Sequence, residues 1–299
     1  MVSVALALIL AILSPCIWGI LNILDKFVVD KRVKSALGFA VIAGCVNLAI
    51  GLVLAVFLKW SGIAISDLLF PALAGMVLGS QFILYYKVLQ KEDASNVIGF
   101  IYVYPIMVAF LSFLFLHEVL SLAVYLGASL IIIGVILLTV HGKKIKLHVA
   151  IWTLFALALV VALNEFFVKM ATTELPVMNG VAINCIFIGL VIVPALLSRR
   201  IRSQFVSELH NAKWALLNET LTFINIVIIY FAMSGLPATI VSSIGAIQPL
   251  AVLFIEKILQ IFGIRLTHNG SFASKILPLT LIVLGVIIIY SQELMGLLT

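Results

Sequence analysis

The feature that most limits how this chain can fold is a series of ten apolar segments, each about as long as a bilayer is thick. A helix that crosses the hydrocarbon core needs about 20 consecutive apolar residues. Cutting the sequence at its charged residues gives segments near 4–24, 36–58, 68–88, 95–116, 121–140, 149–169, 179–197, 213–233, 238–260 and 275–294. The connections between them are short, so consecutive helices are antiparallel neighbours. The sequence therefore predicts an all-α membrane protein with ten transmembrane helices.

The overall composition excludes a soluble globular protein. Of 299 residues, 64% are hydrophobic and 10% are charged, whereas a soluble domain has about 25% charged residues. The net charge of +6 belongs to loops that face anionic lipid and gives no reason to expect a nucleic-acid partner. The three cysteines lie inside apolar segments and fit no metal-ligand spacing. We expect a multi-pass protein of the inner or plasma membrane that uses no cofactor or metal.

The chain carries an internal duplication. A shift of 144 residues places Gln81 on Asn225, Tyr86 on Tyr230, Ala94 on Ala238, Val97 on Val241, Pro105 on Pro249, Val108 on Val252 and Phe110 on Phe254. A shift of 151 residues places the segment 130–138 on the segment 281–289. The predicted repeats are residues 1–140 and 149–299, joined by a linker at 141–148.

The number of helices in each repeat determines how the repeats are oriented. Five is an odd number, so the second copy enters the membrane inverted relative to the first. Two inverted five-helix repeats are the design of many secondary transporters, whose substrate sites lie near the midplane between the halves. The duplication therefore predicts a transporter with a site between its repeats.

Several short motifs resemble those of EamA-type ten-helix members of the drug/metabolite transporter superfamily. These are Trp18-Gly19 in helix 1, Tyr85-Tyr86 followed by Ala94 and Pro105, and Leu-His-Glu-Val-Leu-Ser at 116–121. The last of these is similar to the Leu-Gly-Glu-Arg-Leu-Ser end of helix 4 in that family, with His117 and Val119 as departures. The glutamate that ends helix 9 in the family is missing at the matching position. The resemblance implies an EamA-like fold with a central cavity and transport of a small polar metabolite.

Polar residues recur at helical spacing inside the apolar segments and predict the lining of that cavity. An ionisable group in hydrocarbon needs a partner or a function. Residues three and four apart share a helix face, and this spacing defines polar stripes in helices 1, 3, 6 and 8. Tyr104 and Gln248 lie beside Pro105 and Pro249, which are expected to distort helices 4 and 9. The predicted substrate-binding residues are Trp18, Asn22, Lys26, Gln81, Tyr85, Tyr104, Asn164, Glu165, Lys169, Glu219, Thr222, Asn225 and Gln248.

Some of these polar residues have structural interpretations as well. Glu165 and Lys169 are spaced for a local ion pair. Asp25 and Lys26 lie near a helix end, where they can reach water. Buried asparagines in membrane helices often bind only a neighbouring helix, which is the alternative role of Asn47, Asn179 and Asn184. Among the acids, Glu219 has the most polar helix around it and is the foremost cavity candidate.

The sequence supports one function best and leaves alternatives open. The predicted function is a secondary active transporter that moves a small polar or amphipathic metabolite by alternating access, with Glu219 or Glu165 coupling it to protons. A flippase for a lipid-linked sugar or head group is the alternative on the same fold. A membrane-embedded enzyme is a distant third, because the sequence has no metalloprotease motif, nucleophile elbow or phosphate loop. The expected partners are the substrate, protons and membrane lipid.

Two indications of membrane orientation disagree. Lys59 and Lys169 are the cationic residues assigned to the side of the N terminus, and the other 16 of 18 fall on the opposite side. The positive-inside rule then places both termini outside, whereas the resembled family usually has both inside. We expect the termini outside, with the basic segment 198–205 at the cytoplasmic head groups.

Overall fold

The structure, a computed structural model, describes residues 2–89, 104–118, 121–140, 147–261, 277–278, 280–285, 287–288 and 291. These residues are helical apart from the connections, and no strand occurs among them. The helices are α1 (Val4–Lys31), α2 (Ala36–Phe57), α3 (Leu69–Leu89), α4 (Tyr104–Leu111), α5 (Leu122–Val140), α6 (Leu147–Glu174), α7 (Val177–Ile192), α8 (Arg199–Glu208), α9 (Ala212–Gly235), α10 (Ala238–Gly245) and α11 (Gln248–Ile261). The residues described between 277 and 291 are helical too.

Seven stretches of the described chain are long and apolar enough to cross a membrane. They are Val4–Val29, Ala36–Phe57, Ile65–Phe82, Phe155–Glu174, Val177–Leu197, Arg199–Gly235 and Ala238–Leu259. Shorter apolar helices cover Tyr104–Leu116 and Leu122–Gly134. The predicted fourth and tenth segments fall partly outside the described residues. The protein is therefore an all-helical, multi-pass integral membrane protein.

Local sequence signals explain where several helices begin and end. The hydroxyls of Ser3 and Ser35 accept hydrogen bonds from backbone N–H groups three residues on, at 3.3 and 3.2 Å, as N-cap residues do. Pro176 and Pro237 immediately precede α7 and α10, where a fixed φ suits the entry into a helix. Helix 9 is distorted as predicted, because α10 ends at Gly245 and α11 starts at Gln248, with two turn residues between them.

Glycines let the central helices approach closely. A Cβ added to Gly51 would lie 2.6 Å from the backbone nitrogen of Ile186 on α7, and one added to Gly189 would lie 2.8 Å from the carbonyl oxygen of Gly44 on α2. Gly75 and Gly79 on α3 meet the backbone of α7 in the same way. Small residues allow such backbone contact between membrane helices. The pattern Gly-Met-Val-Leu-Gly at 75–79 therefore forms a packing face.

The first and second halves of the chain pack against each other at matching places. Helix α1 packs along α9, and α3 packs along α6. At the far end, Gly134 on α5 contacts Ile282, and Gly285 contacts Ile131. The helices that line the interior therefore come from both halves.

The basic segment after α7 forms the short helix α8. Arg199, Arg200 and Arg202 are exposed on it. Its last residue, Glu208, is fully buried, and Oε1 of its carboxylate accepts hydrogen bonds from the backbone N–H groups of Lys34 and Ser35, both at 2.8 Å. These bonds satisfy donors at the start of α2 that the helix itself leaves open. Glu208 thus fastens α8 to the α1–α2 connection.

Candidate functional site

A partly open cavity lies between the two halves. Its walls come from α1, α3, α4, α6, α9, α10 and the start of α11. Nine of the predicted site residues line it: Trp18, Asn22, Gln81, Tyr85, Tyr104, Asn164, Glu165, Thr222 and Gln248. Ser14, Asp25 and Asn218 also line the cavity and are not among the predicted substrate-binding residues.

Helix α1 presents one polar face to the cavity. Ser14, Trp18, Asn22 and Asp25 follow one another at steps of three or four residues, which places them on the same side of a helix. The Tyr85 hydroxyl donates to Asn22 Oδ1 at 3.1 Å, across to α3. The amide nitrogen of Asn22 is buried and has no hydrogen-bond partner. This leaves one unused donor on the first-half wall.

Helix α6 supplies an acid to the opposite wall. Asn164 donates to the Ala74 carbonyl oxygen at 2.9 Å, which ties α6 to α3. The next residue, Glu165, is 8% exposed and lines the cavity. Its Oε2 atom is buried and has no hydrogen-bond partner. The second-half wall therefore carries an unused acceptor.

The break between α10 and α11 forms another part of the wall. The Tyr104 hydroxyl donates to the Ser242 carbonyl oxygen at 3.2 Å, close to where the helix ends. A Cβ added to Gly245 would lie 2.6 Å from that hydroxyl. Glycine at this position therefore lets α4 and the broken helix meet. Gln248 begins the next helix and also lines the cavity.

Glu219 lies behind the wall and does not line this cavity. It is fully buried, and its Oε2 accepts a hydrogen bond from Asn47 Nδ2 at 2.6 Å. Asn218 Nδ2 is 3.5 Å from the other Glu219 oxygen and donates to Asp25 Oδ1 at 2.9 Å. A line of polar contacts thus runs from Asn47 through Glu219 and Asn218 to Asp25. The carboxylate of Glu219 joins α2 to α9.

Asp25 is a wall residue, where the sequence suggested a helix end in contact with water. It is 7% exposed, and its Oδ1 accepts a hydrogen bond from the Asn218 amide at 2.9 Å. Asp25 follows Trp18 by seven residues, which is about two helical turns. The spacing in helix 1 therefore could have predicted that Asp25 faces the cavity together with Trp18. The predicted stripe ended instead at Lys26, which does not line the cavity.

Lys169 binds the end of the neighbouring helix α9 and does not form the local ion pair with Glu165 that the spacing suggested. Its Nζ atom donates to the carbonyl oxygens of Met233 and Leu236, at 2.8 and 2.7 Å. The last carbonyls of α9 lack partners within their own helix. Lys169 satisfies them and does not line the cavity.

Glu118 caps the start of α10, as Lys169 caps the end of α9. Its Oε1 accepts a hydrogen bond from the Ala238 N–H at 2.9 Å, and its Oε2 accepts one from the Thr239 hydroxyl at 3.2 Å. The negative charge lies at the positive end of the helix. The sequence motif at 116–121 contained this glutamate, but spacing alone did not reveal its partner 120 residues away.

Asn225 lines a smaller cavity next to the first, together with Asn184 and Tyr230. With its amide in the orientation that satisfies both ends, Asn225 accepts from Trp18 Nε1 at 2.6 Å and donates to Ser14 Oγ at 3.1 Å. Asn184 donates to the Tyr230 hydroxyl at 3.0 Å. These amides join helices in the manner expected of polar residues in a membrane bundle.

Comparison with known proteins agrees with this architecture. The family model described as the EamA-like transporter family matches residues 5–140. An uncharacterized protein of Methanocaldococcus jannaschii is 31% identical over 139 residues, which are 46% of this chain and 98% of the relative. A crystal structure of a protein of 15% identity superposes with a TM-score of 0.66 and covers 96% of this chain and 98% of that one; at this identity it shows the fold alone. The chain belongs to the EamA-like transporter family, as its motifs indicated.

Proposed function

We propose that the protein is a secondary active transporter that moves a small polar or amphipathic metabolite across the membrane by alternating access. The observation that carries the proposal is the cavity between the halves, which is lined by Asn22 and Glu165, two residues that each have a buried polar atom without a hydrogen-bond partner. Leaving such an atom unpaired costs about 1–3 kcal/mol. A solute that supplies the missing partners gains this energy on binding.

The proposed framework is two inverted five-helix repeats, residues 1–140 and 149–299. In this framework α1 corresponds to α6, and α3 corresponds to α9. The packing of α1 on α9 in one pair of helices should therefore be matched by the packing of α6 on α3, and both contacts exist. The offset of 151 residues also exchanges the contact of Gly134 with Ile282 for that of Gly285 with Ile131, and both contacts exist. A two-fold exchange of contacts is what an inverted repeat requires.

Alternating access needs contacts that close one side and can open. Glu118 binds the start of α10, and Lys169 binds the end of α9. Both contacts lie at the short α9–α10 connection, and together they hold the ends of four helices at one face of the membrane. In the proposed cycle these polar contacts break when the cavity opens to that face.

Proton coupling is assigned to Glu165. It is the buried acid of α6, it lines the cavity, and one of its oxygens has no partner. A carboxyl that meets the substrate can exchange a proton for it as the cavity changes sides. The sequence favoured Glu219 over Glu165, but the Glu219 carboxylate accepts a hydrogen bond from Asn47, and Glu219 does not line the cavity.

The test is solute counterflow in liposomes that contain the purified full-length protein. The vesicles are loaded with an unlabelled panel of amines, amino acids, carboxylates and sugars, and the entry of each labelled compound is followed. We expect at least one compound to enter faster than in protein-free liposomes, and a pH gradient to drive its accumulation with wild-type protein but not with Glu165→Gln. No entry above the protein-free rate for any compound would contradict transport of a metabolite.

A further inference from the structure

The charged residue types that line the cavity are all acidic. Asp25 and Glu165 both line it, and none of the described lining residues is Lys, Arg or His. The lysine that shares α6 with Glu165 has its ammonium bound to two carbonyl oxygens at the end of α9. Like charges in a medium of low dielectric repel strongly. A wall with two carboxyl groups and no basic side chain among its described residues therefore favours a ligand of positive charge over an anion.

A wall atom without a hydrogen-bond partner indicates where the positive charge of the ligand would bind. Glu165 is 8% exposed, lines the cavity, and leaves Oε2 buried without a hydrogen-bond donor. A protonated amine carries several N–H donors and a positive charge, which match a carboxylate oxygen in both respects. A quaternary cation matches only the charge and leaves the oxygen without a donor.

The remaining wall restricts the rest of the ligand. Asn22 Nδ2 is a buried donor without a partner, so it needs an acceptor such as a hydroxyl or carbonyl oxygen. The aromatic rings of Trp18, Phe82 and Tyr104 line the same cavity, with Leu78 and Val161 between the polar groups. Such a surface suits an apolar or aromatic body and contributes cation–π attraction to an ammonium group.

We propose that the transported solute is a small protonated amine with a neighbouring hydrogen-bond acceptor on a compact apolar body, and that Glu165 anchors its ammonium group. The proposal rests on the transport function and adds the chemical class of the substrate. Glu165 binds the ammonium through Oε2, Asn22 binds the acceptor, and Asp25 supplies a second negative charge.

The test uses three probes that share a phenylpropyl skeleton. Phenylalaninol carries an ammonium and a hydroxyl group, and 3-phenylpropane-1,2-diol replaces the ammonium with a hydroxyl. 3-Phenyllactate replaces the ammonium with a hydroxyl and the hydroxymethyl group with a carboxylate. Binding to the purified full-length protein in phosphatidylcholine nanodiscs is measured by calorimetry. Empty nanodiscs correct for partition into lipid. We expect phenylalaninol to bind at least about tenfold more tightly than the diol, and phenyllactate not to bind.

Two variants on α6 identify the anchor. Glu165→Gln should weaken phenylalaninol binding by about tenfold or more and bring it level with the diol. Glu174→Gln makes the same chemical change on an exposed residue at the end of the same helix and should leave binding unchanged. Glu165→Asp keeps the charge and should restore part of the preference for the amine.

The outcomes separate this inference from the transport function. Equal binding of the amine and the diol, or tight binding of phenyllactate, would overturn the amine class, even if Glu165→Gln failed to fold. Unchanged phenylalaninol binding in Glu165→Gln would overturn the anchor. Binding of none of the three probes would overturn the inference too. In each case the counterflow panel still decides whether the protein transports a metabolite.

Discussion

Replacing either of two buried acids with glutamine should produce opposite effects. Glu219 is fully buried, and its carboxylate accepts a 2.6 Å hydrogen bond from Asn47. Glu165 is nearly as buried, but its Oε2 has no partner. Glu219→Gln should therefore reduce stability and spare transport. Glu165→Gln should spare stability and abolish transport driven by a pH gradient.

The expected magnitudes follow from the contacts. A hydrogen bond to a charged group contributes about 1.5–3 kcal/mol, and one to a neutral group about 0.5–1.5 kcal/mol. Glutamine at 219 keeps one acceptor oxygen, but Asn47 Nδ2 also donates to the Ala43 carbonyl oxygen at 3.1 Å, so the amide cannot rotate without losing that bond. We expect Glu219→Gln to lower the free energy of unfolding by about 1–3 kcal/mol. Glu165→Gln should not lower the free energy of unfolding, because Oε2 has no hydrogen bond to lose and glutamine removes a buried carboxylate.

The assay measures both quantities on the same samples. Titration with sodium dodecyl sulfate in mixed micelles gives the free energy of unfolding, and uptake into liposomes under a pH gradient gives the transport rate. Glu174→Gln on the exposed end of α6 is the control for both. The reasoning is refuted if Glu165→Gln is as destabilised as Glu219→Gln, or if it retains wild-type pH-driven uptake.

Four further outcomes are expected at other places in the molecule. Glu208→Ala removes a carboxylate that accepts three hydrogen bonds of 2.8 Å and should cost about 3 kcal/mol in the detergent titration, whereas Glu174→Gln should cost nothing measurable. Glu118→Ala should cost about 1 kcal/mol in the same titration, as the loss of a helix cap does. Gly285→Val should prevent stable folding, seen as aggregation on size-exclusion chromatography, because a Cβ there would clash with α5. A cysteine placed in the loop 143–146, which lies outside the described residues, should be protected from an impermeant thiol reagent in intact cells.

Helical spacing was enough to find the wall of the cavity, because that wall is made by helix faces. Trp18 and Asn22 are one turn apart on α1, and Gln81 and Tyr85 are one turn apart on α3; all four line the cavity. On α6 the spaced pair was Glu165 and Lys169 with Asn164 beside them, and of these three residues Asn164 and Glu165 line the cavity. A face that stays polar within an apolar segment must meet other polar groups, so the position of these residues follows from a local pattern.

Spacing could not identify the partner of a polar residue, because partners come from distant parts of the chain. Asn47 lies 172 residues before Glu219, and the carbonyl oxygens that hold Lys169 lie 64 and 67 residues after it. Both residues belong to polar stripes, but protein groups already satisfy them. Which member of a stripe faces the cavity depends on the packing of neighbouring helices, and the sequence of one helix does not contain that information.

The distribution of satisfied and unsatisfied groups connects the fold to the proposed cycle. Groups with protein partners, such as Glu219 and Glu208, fix helices to one another and resist movement. Two wall atoms without a hydrogen-bond partner belong to different halves, Asn22 Nδ2 to the first and Glu165 Oε2 to the second. A solute that binds both atoms therefore links the halves, and its binding energy becomes available to change their relative position. A ligand can shift a conformational equilibrium only by its difference in affinity for the two states, and contacts to both halves provide such a difference when the halves move.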